Sequence, residues 1–188
     1  MTKVDDGEYG AMLKRLSGNA HPNMFLLNYD IKSLAVTNLV IIPKHVIAVG
    51  MIEERKPLLP TAQRAGWIGC RVLLQGIPNA GRIPIIRNGM IEPKPSVLER
   101  WKSTLFLRKQ RDLEAKGWLV HVMRCIERLG KSQFSLGEVY GFENELADAY
   151  LGNQHIRAKI RQKLQVLRDN SYLEFVGKGS YRLSSGAD

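Results

Sequence analysis

The feature that most narrows the fold is a change of hydrophobic period late in the chain, after Asp169-Asn170. Up to that point apolar residues recur at helical spacing. Leu119, Val122, Met123, Ile126 and Leu129 share one face, with Gly130 as a stop, and Ile156, Ile160, Leu164 and Leu167 form a later stripe. Between them Ser135-Leu136-Gly137-Glu138 has the form of a capping box, with Phe134 and Val139 spaced as its hydrophobic staple, and predicts a helix running to about Tyr150. Gly152-Asn153 separates that helix from the next. Past Asn170 the period is two, through Tyr172-Leu173-Glu174-Phe175-Val176; Gly177-Lys178-Gly179 then turns, and Ser180-Tyr181-Arg182-Leu183 returns. Three short helices followed by a hairpin with a basic glycine turn is the order of a winged helix.

The chain ahead of this region is of another kind. Turn signals interrupt short apolar runs at His21-Pro22-Asn23, Pro57 to Pro60, Pro78-Asn79-Ala80-Gly81 and Pro93-Lys94-Pro95, and no proline follows residue 95. Residues 24–29 and 39–42 read as strands, with 82–87 as a weaker third. Residues 6–16 have helical spacing, and Ser96 is placed to cap a helix over 96–109, with Glu99 three positions on. The fold class is α+β in two parts: a mixed domain over residues 1–112 and a winged helix over 113–188.

A chain of 188 residues buries a core without disulfides or metals. No run approaches the roughly 18 apolar residues of a membrane span; the most apolar one, residues 34–50, is broken by Thr37, Asn38, Pro43, Lys44 and His45. Asp5, Asp6 and Glu8 stand near the start with no apolar segment behind them, so no secretory signal is visible. With only Cys70 and Cys125, neither a disulfide framework nor a four-cysteine zinc site can form within the chain, and a reduced, cytoplasmic protein is expected. Lys and Arg number 28 against 18 acids, a net charge of +10, which points to a polyanionic partner such as a phosphate backbone. No pattern in the residues fixes an oligomeric state.

The last helix indicates where that charge can act. At 100° per residue its apolar stripe centres between Ile160 and Leu167, so the opposite face presents His155, Ala158, Gln162 and Gln165. Arg157, Arg161 and Arg168 lie along one flank and Lys159 along the other, while Lys163 sits nearer the buried side; residues 155–168 hold no acid. Glutamine amides can pair bidentately with adenine in a major groove while flanking cations meet phosphates. Lys178 at the hairpin tip would reach the backbone or the neighbouring minor groove. The competing reading is a solvated amphipathic helix, or a winged helix that serves as a non-catalytic protein-interaction or regulatory module.

Catalytic patterns are sparse. Glu54 and Lys56 have the E-x-K spacing of a restriction-type nuclease, but Lys56 runs directly into Pro57, which suits no central strand. Asp5 and Asp6 read as first-turn helix acids. His21, His45, His121 and His155 show no H-x-x-x-H or H-x-E spacing, and Cys70 and Cys125 read as buried free thiols.

At Arg55-Lys56-Pro57-Leu58 and Thr61-Ala62-Gln63-Arg64-Ala65-Gly66-Trp67-Ile68-Gly69-Cys70 the chain resembles the methyl-directed type II restriction endonucleases of the DpnI kind and the closely similar Dam-replacing proteins. The likeness continues through Leu105-Phe106-Leu107-Arg108, Gly117-Trp118, residues 160–169 and Glu174-Phe175-Val176-Gly177-Lys178-Gly179, and Asp6-Gly7, Tyr9 and residues 23–29 also fit. The resemblance implies binding of double-stranded DNA at GATC sites carrying N6-methyladenine, Mg²⁺-dependent double-strand cleavage, and a restriction-endonuclease-like PD-(D/E)XK domain followed by a winged helix that also prefers methylated DNA. In the family, a four-cysteine structural zinc cluster and the catalytic Asp…Glu-x-Lys strands lie upstream of the point where this chain begins. The chain is therefore expected to be N-terminally shortened, to start at the helix after those strands, and to carry no catalytic residue and no cofactor of its own. Residues 1–112 would then be the back of the nuclease domain, with a sheet edge exposed, and Glu54 matches no catalytic position. Two positions carry over. Trp67 matches a family tryptophan in a loop beside the methylated adenine, where a flat ring can wedge at a base step or cover methyl groups. Arg64 resembles the neighbouring arginine, as a phosphate contact. Without the resemblance, Trp67 between Gly66 and Ile68 reads as a core residue.

Overall fold

A computed structural model describes residues 2–18, 22–110 and 112–184. The chain opens on a strand, β1 (Lys3–Glu8), not on the helix expected from residue 6; helix α1 (Tyr9–Ser17) begins three residues later. β1 lies antiparallel on β5 (Gly69–Leu73), with Lys3 opposite Leu73 and Asp5 opposite Arg71, a pairing too distant in sequence for local periodicity to report. Glu8 then caps α1, its carboxylate accepting from the backbone N–H groups of Gly10 and Ala11 at 2.9 and 2.5 Å. Asp5 and Asp6 are thus strand residues, not first-turn acids. β4 (Ile52–Glu54) flanks the other side of β5, giving the order β1-β5-β4.

A second antiparallel sheet runs β2-β3-β6-β7, from β2 (Met24–Asp30), β3 (Ala35–Ile42), β6 (Ile83–Arg87) and β7 (Met90–Ile91). The expected strands at 24–29, 39–42 and 82–87 are here. β2 is an edge: Met24 and Leu26 pack on the core, while Phe25, Leu27 and Tyr29 stand outward, 60, 57 and 51% exposed. Helix α2 (Lys94–Ser103) departs from the helix expected over 96–109 at both ends. Pro95 stands in its first turn and no side chain caps it, so Ser96 is interior. After Thr104 the chain tightens into a 3₁₀ turn, Leu105–Lys109, that drives Phe106 and Leu107 into the core.

The C-terminal part begins with α3 (Leu113–Arg128), capped by the Asp112 carboxylate on the N–H groups of Glu114 and Ala115 at 3.1 and 3.2 Å. It stops at Gly130, whose φ of +63° places it in the left-handed region. The capping box forms as expected: Glu138 N–H donates to Ser135 Oγ at 3.2 Å and Ser135 N–H to Glu138 Oε2 at 2.7 Å. The helix it opens is broken, however, into α4 (Leu136–Tyr140) and α5 (Glu143–Ala149). Gly141 is a poor helix former, and Phe142 turns aside beneath the Arg128 guanidinium, 4.8 Å from its ring centre. α6 (Ile156–Asp169) and the hairpin β9 (Leu173–Gly177) and β10 (Ser180–Leu183) follow. A strand absent from the sequence reading, β8 (Gln133–Ser135), pairs with β10 and makes the wing three-stranded, β8-β10-β9.

One buried cluster spans both parts, from Ile42, Ile47, Val72 and Leu107 to Trp118, Met123, Leu164 and Tyr172. Glu127 on α3 accepts from the backbone N–H groups of Asn79 and Ala80 at 2.7 and 3.1 Å, and the Phe106 and Tyr172 rings lie 6.1 Å apart. Gly81 lets the segment before β6 close on the core, since a Cβ there would come within 2.4 Å of Val46 Cγ1.

Candidate nucleic-acid interface

α6 packs against α3, α4, α5 and β9 through Ile156, Ile160, Leu164 and Leu167. His155, Arg157, Ala158, Arg161, Gln162, Gln165 and Arg168 are all exposed, Lys159 is half-buried, and Lys163 is buried. Burial, and then the nearby Lys159, lowers the Lys163 pKa, against the pull of Asp112 and Glu114. The 100° arithmetic therefore holds along the helix, and the resulting face carries cations and glutamines.

Three of those cations already have partners. Arg157 Nε donates to Glu143 Oε2 at 2.8 Å, and its guanidinium lies 5.1 Å from the centre of the Tyr140 ring. Arg161 Nη1 donates to the Tyr140 hydroxyl at 3.0 Å. Arg168 pairs with its own neighbour, Asp169, at 2.8 Å. Tyr140 and Glu143 thus fix the directions of two arginines on the exposed face. Sequence reasoning missed both, because they belong to α4 and α5 and meet α6 only through the break at Gly141-Phe142. At the wing, Lys178 is exposed beside Gly179, whose φ is +68°, and Phe175 and Val176 stand out from β9, 54 and 41% exposed.

The other proposed contact belongs to a separate element, the arm between β4 and β5. Leu58 N–H donates to the Trp67 carbonyl at 2.9 Å and Gly66 N–H to the Leu58 carbonyl at 3.1 Å, with Gly66 at a φ of +77°. Arg64 is exposed on this arm. Trp67 is half-buried, its ring lying so close over Gly69 that a Cβ there would meet it at 2.8 Å. It is not a core residue.

Glu54 ends the edge strand β4, and Lys56 lies beyond it; both are exposed. In register, Glu54 stands level with Asp6 across Cys70, while Asp5 and Glu53, one position along, are ion-paired. Asp5 pairs with Arg71 and Arg55 at 2.8 and 2.9 Å, and Glu53 with Lys3 at 2.9 Å. The Arg71 hydrogen bond holds the Asp5 carboxyl below its usual range. Two cysteines cannot supply a four-cysteine zinc cluster within this chain. Cys70 and Cys125 are both buried free thiols, as expected. His21 lies outside the described residues, and His45 is buried against Thr104. His121 shares a cluster with Cys125 and Glu145 that the sequence did not reveal. Among the described residues, no helix is long and apolar enough to cross a membrane.

Two family models match the chain. That of the Dam-replacing family (DpnI) covers residues 1–110, and that of the Dam-replacing HTH domain covers residues 114–183.

Proposed function

Because the chain belongs to the Dam-replacing family, matched over residues 1–110 and again over its helix-turn-helix region, we propose that it binds duplex DNA with α6 in the major groove. The observation that carries this reading is the face of α6, where Gln162 and Gln165 stand exposed between Arg157, Arg161 and Arg168 over a buried apolar stripe. In it the glutamines meet base edges, His155 and Ala158 allow close approach, and Arg157, Lys159, Arg161 and Arg168 contact phosphates. Lys178 reaches the backbone from the wing. Arg64 and Trp67 make a second contact from the β4–β5 arm, and a preference for GATC carrying N6-methyladenine rests on the likeness around Thr61 to Cys70. Residues 1–112 belong to a restriction-endonuclease-like domain in this reading, and no catalytic role is assigned to Glu54 or Lys56. Exposed Phe175 and Val176 on the wing favour a second reading, a protein-docking module.

A gel-shift titration on a methylated GATC duplex, its unmethylated twin and a scrambled control, with Mg²⁺ in parallel lanes, separates these. Tighter binding to the methylated duplex without cutting is expected. Equal binding to all three would leave a basic winged helix without the family's specificity. Cleavage would mean an active site in this chain, with Glu54 and Lys56 the first residues to replace. No binding even at low salt would favour the docking module.

A further inference from the structure

We propose that His121, Cys125 and Glu145 form a site for a thiophilic divalent cation, Zn²⁺ above all, that ties α5 to α3. His121 and Cys125 stand one helical turn apart on α3, so their side chains share a face, and Glu145 reaches them from α5. The imidazole nitrogen, the sulfur and a carboxylate oxygen all lie within 4.8 Å of one another, the one such group among the described residues. His121 Nε2 and Glu145 Oε1 are 3.2 Å apart. Two donors each about 2.0 Å from a tetrahedral ion stand about 3.3 Å apart, so these two need hardly move; the sulfur closes the remaining distance.

The surroundings suit such an ion. Arg128 Nη1 donates to both Glu145 oxygens, at 2.7 and 2.5 Å. With a cation on Oε1 the guanidinium can keep Oε2 and hold the carboxylate in place. A cavity of about 640 Å³, bordered by Met51, Gly76, Gly117 and Tyr150, reaches His121 and gives an approach to the cluster from that side. Burial pushes the Cys125 thiol up to about 12, so the ion itself must displace the proton; once it has, one thiolate and one carboxylate offset its charge beside Arg124 and Arg128, and the sulfur selects against Mg²⁺ and Ca²⁺. On binding, the Cys125 thiol gives its proton to solvent as the sulfur–metal bond forms, so affinity should rise with pH. This site does not depend on the DNA reading, although α5 also carries Glu143, the partner of Arg157.

The test is a Co²⁺ titration of the chelator-stripped full chain. A thiolate-to-cobalt charge-transfer absorption should saturate at one equivalent, bleach with Zn²⁺ and ignore excess Mg²⁺. Cys125→Ser should abolish it, Cys70→Ser should leave it, and Glu145→Gln should weaken binding about 10-fold or more. Should Cys125→Ser fail to fold, X-ray absorption of the Zn²⁺-loaded wild type gives the answer without a variant. One sulfur at about 2.3 Å with nitrogen and oxygen donors at about 2.0–2.2 Å is expected. No charge-transfer band, a band that survives in folded Cys125→Ser, or zinc surrounded by nitrogen and oxygen alone would overturn the site.

Discussion

Arg161 and Gln162 are neighbours on α6, both exposed, and the proposed docking gives them different work. A phosphate contact carries no sequence information, so Arg161→Ala should weaken binding to every duplex alike and lower the slope of log K against log salt by about one. A bidentate amide contact to adenine does carry it, so Gln162→Ala should remove about 1–3 kcal/mol of discrimination between the preferred site and random DNA. Competition binding at several salt concentrations measures both, and equal losses for Gln162→Ala on specific and random DNA would remove the base-reading role. The exposure of both residues was legible from their phase against Ile160 and Leu164. The Tyr140 hydroxyl that receives the Arg161 guanidinium was not, because that contact depends on where α4 ends rather than on any spacing within α6.

Between elements, the junction of β3 with α2 turns on His45. Its Nε2 lies 3.0 Å from Thr104 Oγ1 and its ring meets the edge of Trp101, so one buried imidazole pins the end of α2 to the segment after β3. Burial first, and then the charges of Arg108, Lys116 and Lys44, press its pKa down to about 4. In the unfolded chain the imidazole takes up its proton near the ordinary value of 6.5, before the folded protein accepts it. Its contribution is therefore complete above that value and is lost as the pH falls toward 4, on the order of 3 kcal/mol in all and about 2 kcal/mol by pH 5. Urea unfolding at pH 7 and pH 5 should show this loss in the wild type and a smaller one in His45→Gln; identical losses would mean that His45 is not held neutral. This junction shows where reading by element runs out. The stripe of α6, the Ser135–Glu138 box and the period-two hairpin announce themselves within a few residues. By contrast β1 and β8 exist only through β5 and β10, and α2 ends where His45 and the core require it.

Over the whole molecule, the division at residue 112 runs through a continuous core, and the two sides are unequally equipped to stand alone. The C-terminal part encloses Ile126, Phe134, Val139, Leu146, Ile160, Leu164 and Leu173 among its own helices and wing, with capped starts to α3 and α4. The N-terminal part presents β2 as an open edge bearing Phe25, Leu27 and Tyr29, and two backbone N–H groups of its Asn79 turn are satisfied by Glu127 across the boundary. Separation costs each side buried surface, but it leaves only the N-terminal side with both an exposed apolar edge and unpaired donors. Trypsin, which has exposed sites at Arg108 and Lys109, should therefore release a resistant fragment beginning near residue 110 while the N-terminal half is degraded. The fragment should melt below the intact chain, because Tyr172 loses the Phe106 ring and the shared core is cut. Equal survival of both halves as a nicked complex would mean that the shared core makes the chain one cooperative unit, and the division at residue 112 would then mark a change in sequence character alone.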